Sequence, residues 1–260
     1  MKRTETLANS SPPPVHIVPL AGLPEIAAGQ NLSLLIADAL KAQKIIPVAG
    51  DILVVAQKIV SKAEGKSIRL DTILPSNQAK TWAAEYRRDP RLIELVLQQA
   101  SRIVRMERGV IIAETRHGFV CANAGVDLSN AAPGTALLLP DDPDRSAHAL
   151  HEELTRTFGV RMGVIISDTF GRPWREGLVN VALGVAGISA LADYRGQRDA
   201  HGKELQATVI ALADELAAAA GLVMGKLNRV PVVVIRGVKS CDASATGRDL
   251  IRPSNQDLFR

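Results

Sequence analysis

The sequence predicts a mixed α/β protein, and three observations carry that prediction. Uncharged apolar runs of strand length recur, of which Ile52-Leu53-Val54-Val55-Ala56 is the clearest buried strand. Between such runs lie segments with helix-start signals: Asn31 ahead of the apolar stripe Leu32, Leu35, Ile36, Ala39 and Leu40, and Asp89-Pro90 ahead of another. The core is aliphatic, since 47% of the 260 residues are hydrophobic and only 3% aromatic. That length is enough for one large domain or two small ones.

In chain order, residues 1–14 are polar and proline-bearing and read as a loose tail, without the apolar run of a signal peptide. Order begins with a short strand over 15–20, and Gly22-Leu23-Pro24-Glu25-Ile26 makes a turn that Pro24 keeps from being helical. A helix over 32–44 precedes the strand 52–56, which runs straight into Gln57-Lys58-Ile59-Val60-Ser61-Lys62-Ala63-Glu64-Gly65-Lys66. Two helices are expected within 77–99, then strands at 103–106, 110–114 and 118–121 and a small, polar loop over 122–130. A helix over 144–158 leads to a strand over 160–167, a dense polar loop over 168–177, and an apolar, glycine-bearing mix of short helix and strand over 179–191. A second polar loop (195–204), a helix over 207–222 and a last strand over 230–235 complete the chain. No apolar stretch is long enough to cross a bilayer.

Composition excludes several functions. The 31 basic and 27 acidic residues leave a net charge of +4, too little to demand nucleic acid, and the scarcity of aromatic rings argues against base-stacking platforms. Cys121 and Cys241 stand apart, with neither a CxxC pair nor a His cluster, which excludes a zinc ribbon or disulfide framework and fits a reducing cytoplasm. The chain has no GxxxxGK[ST] and no GxGxxG after a strand; 221–227 has the wrong spacing and lacks a hydroxyl after its lysine. His148, His151 and Glu152 do not form HExxH and read as a solvated helix face.

Acidic residues where apolar strands end are what remains. Asp168 directly follows Val164-Ile165-Ile166-Ser167, with the Thr169 hydroxyl beside it, and Asp127 lies in Gly125-Val126-Asp127-Leu128-Ser129-Asn130. Oxygen ligands of this kind suit Mg²⁺ or Mn²⁺, although either aspartate alone is more readily a turn or helix cap. Lys58, Lys62 and Lys66 recur every four residues: on a helix they would be a solvated stripe, on a strand-to-loop exit they could face polyphosphate oxygens. Arg172 and Arg175 flank Trp174 in a loop that could bind phosphate or carboxylate, or be a surface loop anchored by a buried Trp.

Several segments together resemble the coenzyme F420:L-glutamate ligases, or gamma-glutamyl ligases. They are Gly22-Leu23-Pro24-Glu25, Val54 through Gly65, Ala124 through Asn130, Ile166 through Arg175, and Asp214-Glu215 through Gly225-Lys226, in the family's order. The resemblance implies that residues 15–260 form a ligase domain of two intimately joined subdomains, a stand-alone homodimer without the fused nitroreductase-like module of some relatives. It implies GTP-dependent joining of L-glutamate to the deazaflavin coenzyme precursor through an acyl phosphate, then extension of a gamma-linked tail. By position, Leu23, Pro24, Glu25 and Ile26 match a GTP-contacting turn, Gln57, Lys62 and Asn130 further nucleotide contacts, and Asp127, Asp168 and Thr169 divalent-metal ligands. Asp127 and Asp168 are thereby the expected catalytic pair, with two divalent ions and K⁺ the implied ions. Arg172, Arg175, Arg195 and Arg198 are candidates for the acceptor's phosphodiester and carboxylates. The alternatives are a metal-dependent phosphohydrolase or another carboxylate–amine ligase, and a nonenzymatic nucleotide or nucleic-acid binder.

Overall fold

The computed structural model describes residues 13–239 and 244–257; residues 1–12 of the expected tail and Cys241 lie outside the described residues. The chain begins with β1 (His16–Leu20) and α1 (Leu32–Ala42), which starts where the Asn31 side chain accepts the Leu34 N–H at 3.1 Å. β2 (Ile52–Ala56) passes without a loop into α2 (Gln57–Ala63), and β3 (Ser67–Arg69) follows. α3 (Asn77–Tyr86) and α4 (Pro90–Gln99) are capped by Ser76 and Asp89. β4 (Ala100–Glu107), β5 (Val110–Thr115) and β6 (Val120–Ala122) form an antiparallel meander, while β7 (Thr135–Leu137) pairs back onto β3. α5 (Pro143–Phe158), β8 (Gly163–Arg172), β9 (Arg175–Ala186), the two-residue strands β10 (Ala192–Asp193) and β11 (Val209–Ile210), α6 (Leu212–Met224) and β12 (Val232–Arg236) complete the order.

The main sheet has the order β1-β12-β2-β8-β9, with only β2 and β8 parallel. Leu53, Val55, Val164 and Ile166 face a core shared with α1 and α5; Ile52, Val54 and Ile165 face α6. A sheet covered on both faces needs apolar side chains in both directions, which is why its central strands read as unbroken apolar runs. A separate core packs α3 and α4 on the meander through Ala79, Ile93, Val96, Ile111 and Ala113. Phe119, Leu139 and Leu183 form a small joint cluster, with Phe170 against it, and fasten that lobe to the β8–β9 hairpin. Among the described residues no helix is long and apolar enough to cross a membrane.

The mixed α/β class holds, and four local readings are corrected. The expected polar loop over 168–177 is mostly strand: β8 and β9 run on to Arg172 and from Arg175 and turn at Pro173-Trp174. The hairpin extends past the sheet's core, so its side chains lack the apolar alternation that would reveal a strand. Trp174, at its tip, is 80% exposed and is not a buried anchor. The expected helix–strand mix after 179 is continuous β9 up to Ala186. Its small residues let α5 approach, since a Cβ on Gly184 would stand 2.1 Å from the Pro143 carbonyl oxygen. The last helix begins at Leu212 rather than 207, because 209–210 pair with β10.

Candidate active site

The parallel pairing of β2 with β8 ends with Ala56 opposite Ser167: β2 turns into α2 at Gln57, while β8 runs on through Asp168 paired with β9 alone. Ligands of α/β sheets gather outside such carboxyl ends. Asp168 lies at the floor of this site, and burial pushes its carboxyl up to about 6, with the Asp127 charge adding to the rise. The Thr169 N–H, the Lys58 ammonium and the Gln57 side chain oppose it. Cys121 of β6 also feels Asp168: burial first, then that carboxylate, pushes its thiol up to about 12, so it is a neutral wall.

Asp127 comes from the other lobe. After β6 the chain takes three successive left-handed residues, Asn123, Ala124 and Gly125 (φ 53°, 50° and 74°). Asp127 is then pinned to β7, its N–H donating to the Leu137 carbonyl (3.0 Å) and its carbonyl accepting the Leu137 N–H (2.8 Å). Its carboxylate accepts Lys58 Nζ at 2.6 Å and the Ser129 N–H at 2.7 Å. Burial works against its charge, but Lys58 and Ser129 hold the carboxyl below the usual range.

The lysine spacing resolves as a helix, yet not as a solvated stripe. α2 lies at the seam with the second lobe, so Lys58 and Lys62 are only 24% and 12% exposed, Lys58 paired with Asp127 and Lys62 with Glu25. Lys66, beyond the helix, pairs with Asp141. Lys62 opens on a cleft of about 400 Å³ that Glu25, Ile26, Asn130, Ala132 and Leu137 also line, a size within the range of small-molecule sites. Glu25, Ile26, Lys62 and Asn130 are thus brought together. Leu23 of the same turn packs against the main core, and Pro24 is exposed between them. One helical turn along α2 separates the cleft lysine from the lysine at the two aspartates.

Gln57 and Thr169 are engaged differently. Gln57 is 1% exposed; its Oε1 accepts the Ser61 hydroxyl at 2.8 Å, and its side chain faces Asp168. Successive strand residues point to opposite faces. Accordingly the Thr169 hydroxyl stands with Asn180, to which it donates at 2.8 Å, and with Lys226, from which it accepts at 2.7 Å. Of the arginine candidates, Arg195 is paired with Asp193, while Arg172 and Arg198 donate to the carbonyls of Glu176 and Gly202. Ser61, Ser129 and Asn180 were not singled out from sequence, and Cys121 only as a cysteine standing apart from any CxxC pair or His cluster. Only Ser61 had a usable signal, its i,i+4 spacing from Gln57 if the segment is helical.

The donor set fits a hard divalent cation. Two carboxylates from separate lobes sit close enough for one to raise the other, and the Lys58 ammonium already stands where positive charge is needed. Among the described residues no group of three or more His, Cys, Asp and Glu side chains is arranged for a metal, so water or phosphate oxygens would fill the remaining positions, as is usual for Mg²⁺.

The fold is of mixed α/β class, with acidic and basic side chains gathered where the pairing of two parallel strands ends. A family profile described as F420-0:Gamma-glutamyl ligase matches residues 22–237. The chain is 46% identical to the coenzyme F420:L-glutamate ligase of Methanopyrus kandleri over 253 residues, 95% of this chain and 98% of that one. It is 46% identical to the enzyme of the same name from Methanothermobacter thermautotrophicus (95% and 99% covered). To that from Methanocaldococcus jannaschii it is 47% identical (81% and 85%). The chain belongs to the F420-0:gamma-glutamyl ligase family and is a ligase.

Proposed function

We propose that this ligase joins L-glutamate through its amino group to the terminal carboxyl of the deazaflavin precursor F420-0, using GTP, and then extends a gamma-linked glutamate tail. The supporting observation is the convergence of Asp127 and Asp168 on the Lys58 ammonium beside the Lys62 cleft. Similarity to enzymes named coenzyme F420:L-glutamate ligase supports the choice of substrates.

The acceptor's carboxylate oxygen attacks the γ-phosphorus of GTP, the bond to the β-phosphate oxygen breaks, and acyl phosphate and GDP result. The neutral glutamate amine then attacks the acyl carbon; phosphate departs with the C–O electron pair, and the nitrogen loses one proton to solvent and keeps the other as the amide N–H. Phosphoryl transfer of this kind needs positioning and charge neutralisation more than a covalent nucleophile. Asp127 and Asp168 would hold Mg²⁺ or Mn²⁺, which when bound supplies charge neutralisation at the phosphates. The cleft between Glu25, Ile26 and Asn130 receives the nucleoside, and Lys62 and Lys58 take phosphate oxygens on leaving their carboxylate partners.

The test is mass spectrometry of the acceptor after incubation with purified protein, GTP, Mn²⁺, K⁺ and L-glutamate. Products heavier by whole glutamyl residues, with one GDP formed for each, are expected. GTP consumption that does not need glutamate would indicate a phosphohydrolase and overturn the proposal, as would equal activity without nucleotide. Omitting K⁺ tests its place in the reaction, and light scattering of the same preparation tests the homodimer.

A further inference from the structure

Resting on that reading, we infer that Ser129 is the positioning residue of Asp127: it grips both oxygens of the carboxylate and braces Lys58 against it, so that the carboxylate stays aimed when the lysine turns to a phosphate. The contacts are direct. The Ser129 N–H donates to Asp127 Oδ1 at 2.7 Å, and the Ser129 hydroxyl donates to Oδ2 at 2.9 Å. Lys58 Nζ, 2.6 Å from that same Oδ2, donates as well to the Ser129 hydroxyl oxygen and, at 3.3 Å, to the Ser129 carbonyl. The next residue, Asn130, is left-handed (φ 56°) and lines the Lys62 cleft, so one short loop serves both the aspartate and the cleft.

Donor and acceptor capacity fixes the direction of every bond. An ammonium and a backbone N–H can only donate, and an ionised carboxylate can only accept. The one proton of the hydroxyl therefore goes to Oδ2, and its oxygen accepts from Lys58; no other orientation satisfies both neighbours. A carboxylate oxygen has room for about two such bonds. Ser129 takes one on each oxygen, which fixes the plane of the carboxylate, and Lys58 takes a second on Oδ2. The main chain of Asp127 is pinned by Leu137, but among the described residues its side chain is held by Ser129 and Lys58 alone. Once Lys58 moves to a phosphate oxygen, Ser129 is what remains to hold the carboxylate, and the place vacated on Oδ2 is open to a divalent ion. Ser129 is itself exposed, so removing its hydroxyl strands no polar group in the core and should leave the fold intact.

The test compares Ser129→Ala, which keeps the N–H and removes the hydroxyl, with Ser129→Thr, which keeps both, each checked for folding by circular dichroism. Calorimetric titration of nucleotide-free protein with Mn²⁺, which needs no turnover, should show binding weakened roughly tenfold in S129A, the low end of the effect of groups that orient a ligating side chain. The variant should also lower kcat by about the same factor, with KM for GTP changed less than about threefold. S129T should bring Mn²⁺ binding back to within about threefold of the unaltered protein. Unaltered Mn²⁺ binding in S129A would overturn the inference whatever the kinetics; if KM for GTP alone rose, Ser129 would be a nucleotide contact instead. Failure of the threonine hydroxyl to restore binding would overturn it too. Absence of GTP-driven glutamate addition by the unaltered protein would count against the proposed function, and the Mn²⁺ titrations would still decide the role of Ser129.

Discussion

Asp168 carries an electrostatic cost that its neighbours only partly offset. Its carboxyl is raised to about 6 in the folded chain against about 3.8 when exposed, so between those values the folded state binds the extra proton. The group therefore costs nothing below about pH 4, costs progressively more as pH rises through 6, and reaches about 2–3 kcal/mol above it. Asp168→Asn removes the charge, so in metal-free buffer the variant should melt above the parent at pH 7.5, with the gap closing as pH falls toward 4. Thermal melts across that range check this. Equal melting temperatures at pH 7.5 would contradict the burial assigned to the carboxylate. The same variant should lose at least about a hundredfold in ligation while folded, the scale of removing a charge-stabilising group at a reaction centre.

At the scale of elements, the site depends on one strained turn. The left-handed run at Asn123, Ala124 and Gly125 reverses the chain between β6 and Asp127, and a left-handed conformation costs an alanine roughly 1–2 kcal/mol. Strain of this kind persists where the surroundings over-determine it, and here the paired Asp127–Leu137 hydrogen bonds and the Leu139 side chain do so. At Gly125 an added Cβ would meet Leu139 Cγ at 2.6 Å, on a backbone already at φ 74°. Gly125→Ala should cost about 1–3 kcal/mol of stability. It should also lower kcat by more than that loss of folded protein explains, because the turn aims Asp127. Denaturant unfolding and steady-state kinetics on one preparation separate the two effects.

For the whole molecule, the two aspartates belong to different lobes, fastened by the Phe119, Leu139 and Leu183 cluster and bridged by α2 through Lys58. A cation held by both would add a further tie and stabilise by mass action, about 2.7 kcal/mol at a hundred times its dissociation constant. Mn²⁺ should therefore raise the melting temperature of the unaltered protein, and either Asp127→Asn or Asp168→Asn should abolish most of the shift. A shift that survives in one of them would mean that the ion rests on a single lobe.

Strands β1, β2 and β12, the first part of β8, and the capped helices α1 and α4 were legible in the chain because their signals are local. Apolar side chains on both faces mark β2, and an asparagine or an aspartate–proline step marks where α1 and α4 begin. The family was legible too, since its motifs are contiguous stretches. The β8–β9 hairpin was not, because beyond the sheet it has no buried face to impose an apolar period. Nor could spacing say that Lys58 and Lys62 are sheltered rather than solvated, that Gln57 turns inward to Ser61, or that Thr169 faces Asn180 and Lys226 instead of Asp127. Each of these depends on partners tens of residues away or on which side of an element meets another. Residue order supplies the chemical groups and their local geometry, whereas burial and charge pairing arise only when two lobes close on one another.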